Sequence, residues 1–557
     1  MVLVGTGEAE GGCRDRPTPR ARRDVLTLWV LAFIAHRALV LEWGFNRLFY
    51  WEESYRLIVA EALRDNWPIP LLDLQADPYA GGSLVVSCLA VPFFAAFGPS
   101  LAVLKWVVLL WSAAGLAAWF VLVDRYVGRT AAHVFALGFV FAPPLFVIYN
   151  LIAMGSHAEV VTLSGVQFLL AFRFIYAARR SNLSLATWGA FAGFSVWFTY
   201  VSVLPFAVAL AVALAARALP PRRWILLGVA FLCGFAPWIV CNFETGWKGL
   251  RVIANTFFTA PSPGGRGGPG AYLATLFDLV KAGMPVALRY HDLEWSAGPL
   301  ALRVPRAVPS YAYFAMFAAA WAHGMWRLAA DGTARPAGRA WLAQVAASRP
   351  ELALLLLYPL FTLVIAASNQ GFNEFGLVPF LAFRILVPAL PAVFFTLALT
   401  AARLSRRGCA GAAAVLAVLG VIATTQLVTA GASERPRLER EARALGAEAM
   451  GHLLVYKHGP DLPLIAERIA AMSENLRSPA YRGIGFSLAY HYPQDAPVGG
   501  LVDEVLAVDR RYRRDVIEGI HLALGPGMEQ VRPVPASERT RAILAAVDTL
   551  DAGNRSQ

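Results

Sequence analysis

Long apolar runs alternate with short polar stretches that carry arginine along most of this chain. Measured against the roughly 20 apolar residues a helix needs to cross a bilayer, candidate spans fall at 25–43, 101–123, 130–149, 159–177, 185–217, 224–241, 309–329, 352–367, 379–402 and 410–430. The run 185–217 is too long for one crossing and has Tyr200 and Pro205 near its middle, so it reads as two short spans. The run 83–97 is short, carries Pro92 and is followed at once by Gly98-Pro99-Ser100. It reads as an interfacial or re-entrant segment. The pattern predicts an all-α integral membrane protein with about 11 transmembrane helices.

The polar regions complete the plan. Residues 1–24 are basic and Gly/Pro-containing, and no small-residue cleavage site follows the first apolar run. A disordered cytoplasmic tail and an uncleaved first span are expected. Residues 25–431 form the membrane domain, with a first outer loop at 44–100 and a long outer loop at 242–308. After Glu53, the stretch Tyr55 to Leu63 has helical amphipathic spacing and predicts a helix lying in the interface, ended by Trp67-Pro68. Residues 432–557 turn polar and helix-rich and predict a small helical domain outside the membrane. Within it, Tyr481-Arg482-Gly483-Ile484 with Leu488 resembles Ile517-Glu518-Gly519-Ile520 with Leu524, 36 residues on. That spacing suits stacked helical hairpins of the tetratricopeptide kind.

Composition removes the soluble classes: 57% of residues are hydrophobic and 15% charged, with a mean hydropathy of +0.53. The net charge of +12 does not indicate nucleic acid, because the arginines cluster in short loops between apolar runs, where they set topology. With 83–97 kept out of the count, Arg125/Arg129, Arg179/Arg180, Arg222/Arg223, Arg335/Arg339 and Arg403/Arg406 all fall on the side of the basic N-terminus. The expected arrangement is N-terminus inside and C-terminal domain outside, in a bacterial inner membrane. Cys13, Cys88, Cys233, Cys241 and Cys409 are scattered and suggest neither a disulfide framework nor a zinc site.

One stretch concentrates candidate chemistry. Trp51-Glu52-Glu53-Ser54-Tyr55 is followed by the interfacial helix, then Pro78-Tyr79-Ala80-Gly81-Gly82, then an apolar segment ending Phe97-Gly98-Pro99-Ser100. This order resembles the first loop of the GT-C superfamily, the polyprenyl-phosphate-sugar-dependent glycosyltransferases that include protein O-mannosyltransferases and lipid A aminoarabinose transferases. Pro237-Trp238 with Asn242 is a further similarity. So is Arg384-Ile385-Leu386-Val387-Pro388-Ala389-Leu390-Pro391, close to the family's Arg-Tyr-x-x-Pro-x-x-Pro. The family usually has Asp-Glu where this chain has Glu52-Glu53.

The resemblance implies transfer of a sugar from a polyprenyl-phosphate donor to an acceptor hydroxyl or amine at the outer face. Such transfer needs a base, and a carboxylate desolvated at the interface suits that task. Glu52 is the first candidate and Glu53 the second. On the substrate side stand Tyr79 of the first loop, His157 and Glu159 of a second outer loop around Asn150 to Glu159, Arg384 for the donor phosphate through paired hydrogen bonds, and Lys105 as a weaker phosphate ligand. For Glu159 a dipole-favoured helix start, and for Lys105 snorkelling to the interface, are the structural alternatives. Membrane lipids and the lipid-linked donor are the expected partners; the acceptor is a protein, lipid or glycan, and a divalent metal is left open. The glycine run 264–270, the His291-Asp292-x-Glu294 stretch and Asn369, Asn373 and Glu374 read more readily as linker and loop. A transporter or lipid-carrier flippase, or a non-catalytic binding protein on the same scaffold, is the alternative. Transporters concentrate charge near the bilayer midplane, whereas this acidic pair sits in a loop.

Overall fold

A computed structural model describes residues 19–77, 79–156, 158–258, 273, 276, 307–330, 339–367, 386–428, 431, 433–459, 461–491, 497–524 and 538–555. Those residues form α-helices and short 3₁₀ turns, and the only β pairing among them is a single bridge between Asp77 and Ala80. The glycine run 264–270, the 291–294 stretch, residues 369, 373 and 374, His157 and Arg384 lie outside the described residues.

Each predicted apolar segment is helical where it is described. In chain order these helices are α1 (Pro19–Trp43), α3 (Gly82–Phe97), α4 (Leu101–Tyr126), α5 (Arg129–Val140), α6 (Pro144–Tyr149), α7 (Val160–Ile175), α8 (Asn182–Phe198), α9 (Val203–Ala215) and α10 (Pro221–Glu244). They continue, past α11 (Lys248–Phe258), with α12 (Ala307–Ala330), then, past α13 (Arg339–Ser348), which is not among the predicted spans, with α14 (Glu351–Ala367), α15 (Leu390–Ala402) and α16 (Arg406–Val428). Four stretches, 23–43, 101–126, 221–244 and 406–425, are long and apolar enough to cross a membrane by length and composition. The chain is an integral membrane protein. Residues 83–97 do form one helix despite Pro92. At 16 residues and 1.5 Å per residue it is about 24 Å long, short of a hydrocarbon core of about 30 Å.

One expected single element is broken, for a local reason, and the run expected to divide does so. Residues 130–149 divide at Phe141–Pro143, where two consecutive prolines withhold backbone donors. The long run 185–217 divides at a 3₁₀ turn over Tyr200–Ser202, close to the expected division.

The C-terminal region is helical: α17 (Arg435–His458), α18 (Leu462–Ala470), α19 (Glu474–His491), α20 (Val498–Ala507), α21 (Arg513–Leu524) and α22 (Glu538–Arg555). Here α17, α19 and α21 pack side by side in sequence order, with the shorter α18 and α20 between them in the chain. The first-loop helix α2 (Trp51–Arg64) lies on the other side of α17 and continues the row.

Two hydrophobic cores meet at this helix. Leu57 and Ala60 of α2 join the membrane core, while Tyr55, Ile58, Val59 and Ala62 share a second core with Met450, Leu454, Ile465, Ile484 and Ile520. α2 is apolar on more than one side and is buried over most of its length. The first loop is therefore the layer between the membrane helices and the C-terminal row.

Candidate active site

α2 begins where Tyr50 is extended and ends the preceding turn; its N–H donates to the Glu53 carboxylate at 3.1 Å, the far half of a capping box. Adjacent helical positions are rotated by about 100°, so Glu52 and Glu53 meet different surroundings. Glu53 faces α4 and is fully buried. Lys105, equally buried, donates to both its oxygens at 2.6 and 2.7 Å, and the Ala153 N–H to one of them at 3.3 Å. Lys105 also donates to the carbonyl of Leu48 and, at 3.4 Å, to that of Leu151. Burial pushes the Glu53 carboxyl up from the ordinary carboxylate range and Lys105 pulls it back. The desolvation expected of the pair thus falls on Glu53. Snorkelling does not describe Lys105, which has no solvent exposure.

Glu52 turns the other way, onto the wall of a cavity of about 420 Å³. The Tyr50 hydroxyl donates to it at 3.4 Å, and Arg56, one helical turn on, has a guanidinium nitrogen 3.8 Å from its carboxylate. Arg56 is itself anchored, donating to the carbonyls of Glu52 and, at 2.6 Å, Met154. It fixes the first helical turn of α2 to the loop before α7.

Tyr79 lies on the same cavity wall, with its ring edge-on to Tyr200 at 5.8 Å. The glycines after it are there for close packing. A side chain at Gly81 would overlap the Trp197 indole, and one at Gly82 would overlap the carbonyl of Gly155. The motif seats α3 tightly against the end of α8 and the loop before α7 and leaves Tyr79 at the rim. Glu159 does not line the cavity. It is buried and folds back to accept the N–H groups of Gly155 at 2.8 Å and Ser156 at 3.1 Å. It shapes the loop from which Ser156 reaches the cavity.

The remaining wall comes from elements that the motifs did not single out. Thr199 and Tyr200 enter from the α8–α9 break, Val252 from α11, His452, Leu453 and Tyr456 from α17, and Tyr490 and His491 from the end of α19. The His452 ring stacks on His491 at 5.7 Å, and its buried Nδ1 has no hydrogen-bond partner among the described residues. Burial, then the neighbouring His491, lowers the His452 pKa to about 4, so at neutral pH it presents an uncharged imidazole. Two sequence signals were available: the i,i+4 pair Glu52/Arg56, and the i,i+4 pair His452/Tyr456 on one helix face. Neither says that α17 would meet α2.

A small cavity walled by tyrosine rings, with two carboxylates, Glu52 and Asp77, a buried imidazole and several hydroxyls, suits a ligand that has both apolar faces and hydroxyl edges. Among the described residues no three His, Cys, Asp or Glu side chains converge as a metal site requires.

The sequence matches no protein-family model and no curated protein. The structure is similar to those of two GT-C membrane glycosyltransferases. ArnT from Cupriavidus metallidurans in the apo state is 17% identical, with 86% of this chain and 82% of that one covered and a TM-score of 0.42. The same protein bound to undecaprenyl phosphate gives 15%, the same coverage and a TM-score of 0.41. The archaeal oligosaccharyltransferase AglB from Archaeoglobus fulgidus, in complex with an inhibitory peptide and a dolichol-phosphate, is 15% identical, with 74% of this chain and 56% of that one covered and a TM-score of 0.42.

Proposed function

We propose that this chain transfers a sugar from a polyprenyl-phosphate-linked donor to an acceptor hydroxyl or amine in the cavity between the first loop and the C-terminal helices, at the outer face of the membrane, with Glu52 as general base. The observation that carries the proposal is the division of the acidic pair: one carboxylate of the first-loop motif reaches an aromatic-walled cavity while its neighbour is sealed against Lys105. A Glu52 oxygen takes the acceptor proton as the acceptor attacks the anomeric carbon, and the bond from that carbon to the phosphate oxygen breaks, its electron pair leaving with the lipid phosphate. Arg56 positions Glu52. Tyr79, Tyr200 and Tyr456 flank the sugar, and Arg384 is assigned to the leaving phosphate on the motif alone. Lys105, Glu53 and Glu159 are assigned to holding the loops, without substrate contact.

The test is transfer of radiolabelled sugar from polyprenyl-phosphate donors by purified wild-type and variant protein. Glu52→Gln is expected to lose about 10²- to 10⁴-fold in turnover with yield unchanged. Glu53→Gln strands the Lys105 charge, a loss of about 3–5 kcal/mol, and is expected to lower yield. The double variant Glu53→Gln/Lys105→Met removes both charges and is expected to recover yield and transfer together. Full activity in Glu52→Gln would remove Glu52 as base. No transfer by wild type from any such donor would overturn the enzymatic reading.

A further inference from the structure

The far end of α4 opens on a second cavity, of about 400 Å³. From Lys105 to Tyr126, α4 rises about 30 Å at 1.5 Å per residue, the thickness of the hydrocarbon core. The two cavities therefore lie at opposite membrane faces. Three arginines from widely separated segments line the second one: Arg129 in the first turn of α5, Arg349 just before α14 and Arg403 just after α15. The only carboxylate in the lining is Glu351, buried, with Arg403 at 3.3 Å and Arg349 at 3.9 Å. The lining thus carries three cations and one anion. Arg129 makes no ion pair or hydrogen bond among the described residues. Gly128, as N-cap, brings no side-chain acceptor to the first N–H groups of α5, and residues 128–131 line the same cavity.

Arginines that only set topology need to be in loops; they do not need to meet. Here Glu351 pairs with two of them while the third is in no ion pair among the described residues, an arrangement that pre-forms a fork for a tetrahedral oxyanion. We propose that this cavity binds the phosphate of a phosphomonoester, or of a phosphodiester that carries no cation of its own, on a lipid headgroup or free in solution. The inference does not depend on the glycosyltransferase reading.

The test uses the full chain in neutral detergent, following thermal unfolding during titration with phosphatidylglycerol, phosphatidylcholine or inorganic phosphate. A saturable stabilisation by phosphatidylglycerol or by inorganic phosphate, absent with phosphatidylcholine, is expected. Arg129→Gln, which breaks no ion pair or hydrogen bond among the described residues, is expected to weaken the apparent affinity about tenfold, the loss of one charge-assisted hydrogen bond. Arg406→Gln removes an exposed arginine that does not line the cavity and is expected to leave it unchanged. A response confined to phosphatidylglycerol makes the ligand a headgroup, and one to inorganic phosphate makes it a soluble phosphate. Equal weakening in both variants would reduce the effect to diffuse surface charge and overturn the proposal, as would the absence of saturable stabilisation by either anion.

Discussion

Arg37 sits fully buried in α1, a position where a charge is costly unless it meets a specific need. The need is local and comes from two prolines. In a continuing helix the carbonyls of Phe139 and Val140 would accept the N–H groups of residues 143 and 144, but Pro143 and Pro144 have none. The Arg37 guanidinium donates to those two carbonyls, at 3.1 and 2.8 Å. Arg37→Leu is expected to lower the thermal midpoint by leaving both acceptors unpaired, about 1–3 kcal/mol each before relaxation. Pro143→Ala in that background is expected to recover part of the loss, and in wild type to do little. Unfolding of the four proteins closes the cycle, and simple additivity would remove the coupling. Nothing in the sequence around Arg37 announces its partner 103 residues away, whereas the acidic pair was legible because its meaning is local. Helical rotation alone decides that Glu52 and Glu53 part company, but only the presence of Lys105 on α4 decides which one is sealed.

Helices of the C-terminal row touch through glycine. A side chain on Gly451 would strike the Ala480 carbonyl, one on Gly483 that of Glu448, and one on Gly519 that of Arg482. Gly483 and Gly519 are the matching glycines of the two similar stretches, so the repeat is a packing device: it lets consecutive long helices approach backbone to backbone. The same substitution should therefore have opposite signs at two helical glycines. Gly483→Ala is expected to force α19 off α17 and destabilise by about 1–3 kcal/mol. At Gly499 of α20 an added Cβ meets nothing, and Gly499→Ala is expected to stabilise by a few tenths of a kcal/mol. Denaturant titration of both variants checks the pair; equal effects would mean that the repeat does not set helix spacing. At this scale most elements were readable, since apolar periodicity and proline breaks act within a few residues. What periodicity could not show was that α2, read as an interfacial helix, is the first member of the row, because its second apolar face has meaning only once α17 covers it.

The whole molecule is tied together through the first loop. The Glu439 carboxylate caps α4 by accepting the N–H groups of Leu101 at 2.6 Å and Ala102 at 3.0 Å. Arg443 bonds Glu61 at 2.6 Å, Lys457 holds the carbonyls of Leu72 and Asp73 at 2.7 and 2.6 Å, and Arg468 meets the Asp73 carboxylate at 2.7 Å. These contacts hold the C-terminal end of α2, the turn after it and the start of α4. The C-terminal row therefore acts as a clamp that holds Glu52 at one wall of the cavity while supplying the wall that faces it. A chain ending at residue 431 is expected to lose transfer even when it inserts, because His452, Tyr456, Tyr490 and His491 leave the cavity and Tyr55, Ile58, Val59 and Ala62 lose their cover. Hydrogen exchange at residues 54–62 is expected to rise in parallel. Glu439→Ala removes one cap, about 1 kcal/mol, and is expected to keep transfer, separating the loss of the wall from the loosening of a single clamp. A truncated chain with full transfer and protected α2 amides would show that the first loop holds its own shape, and the row of helices would then be an attachment to the site and not part of it.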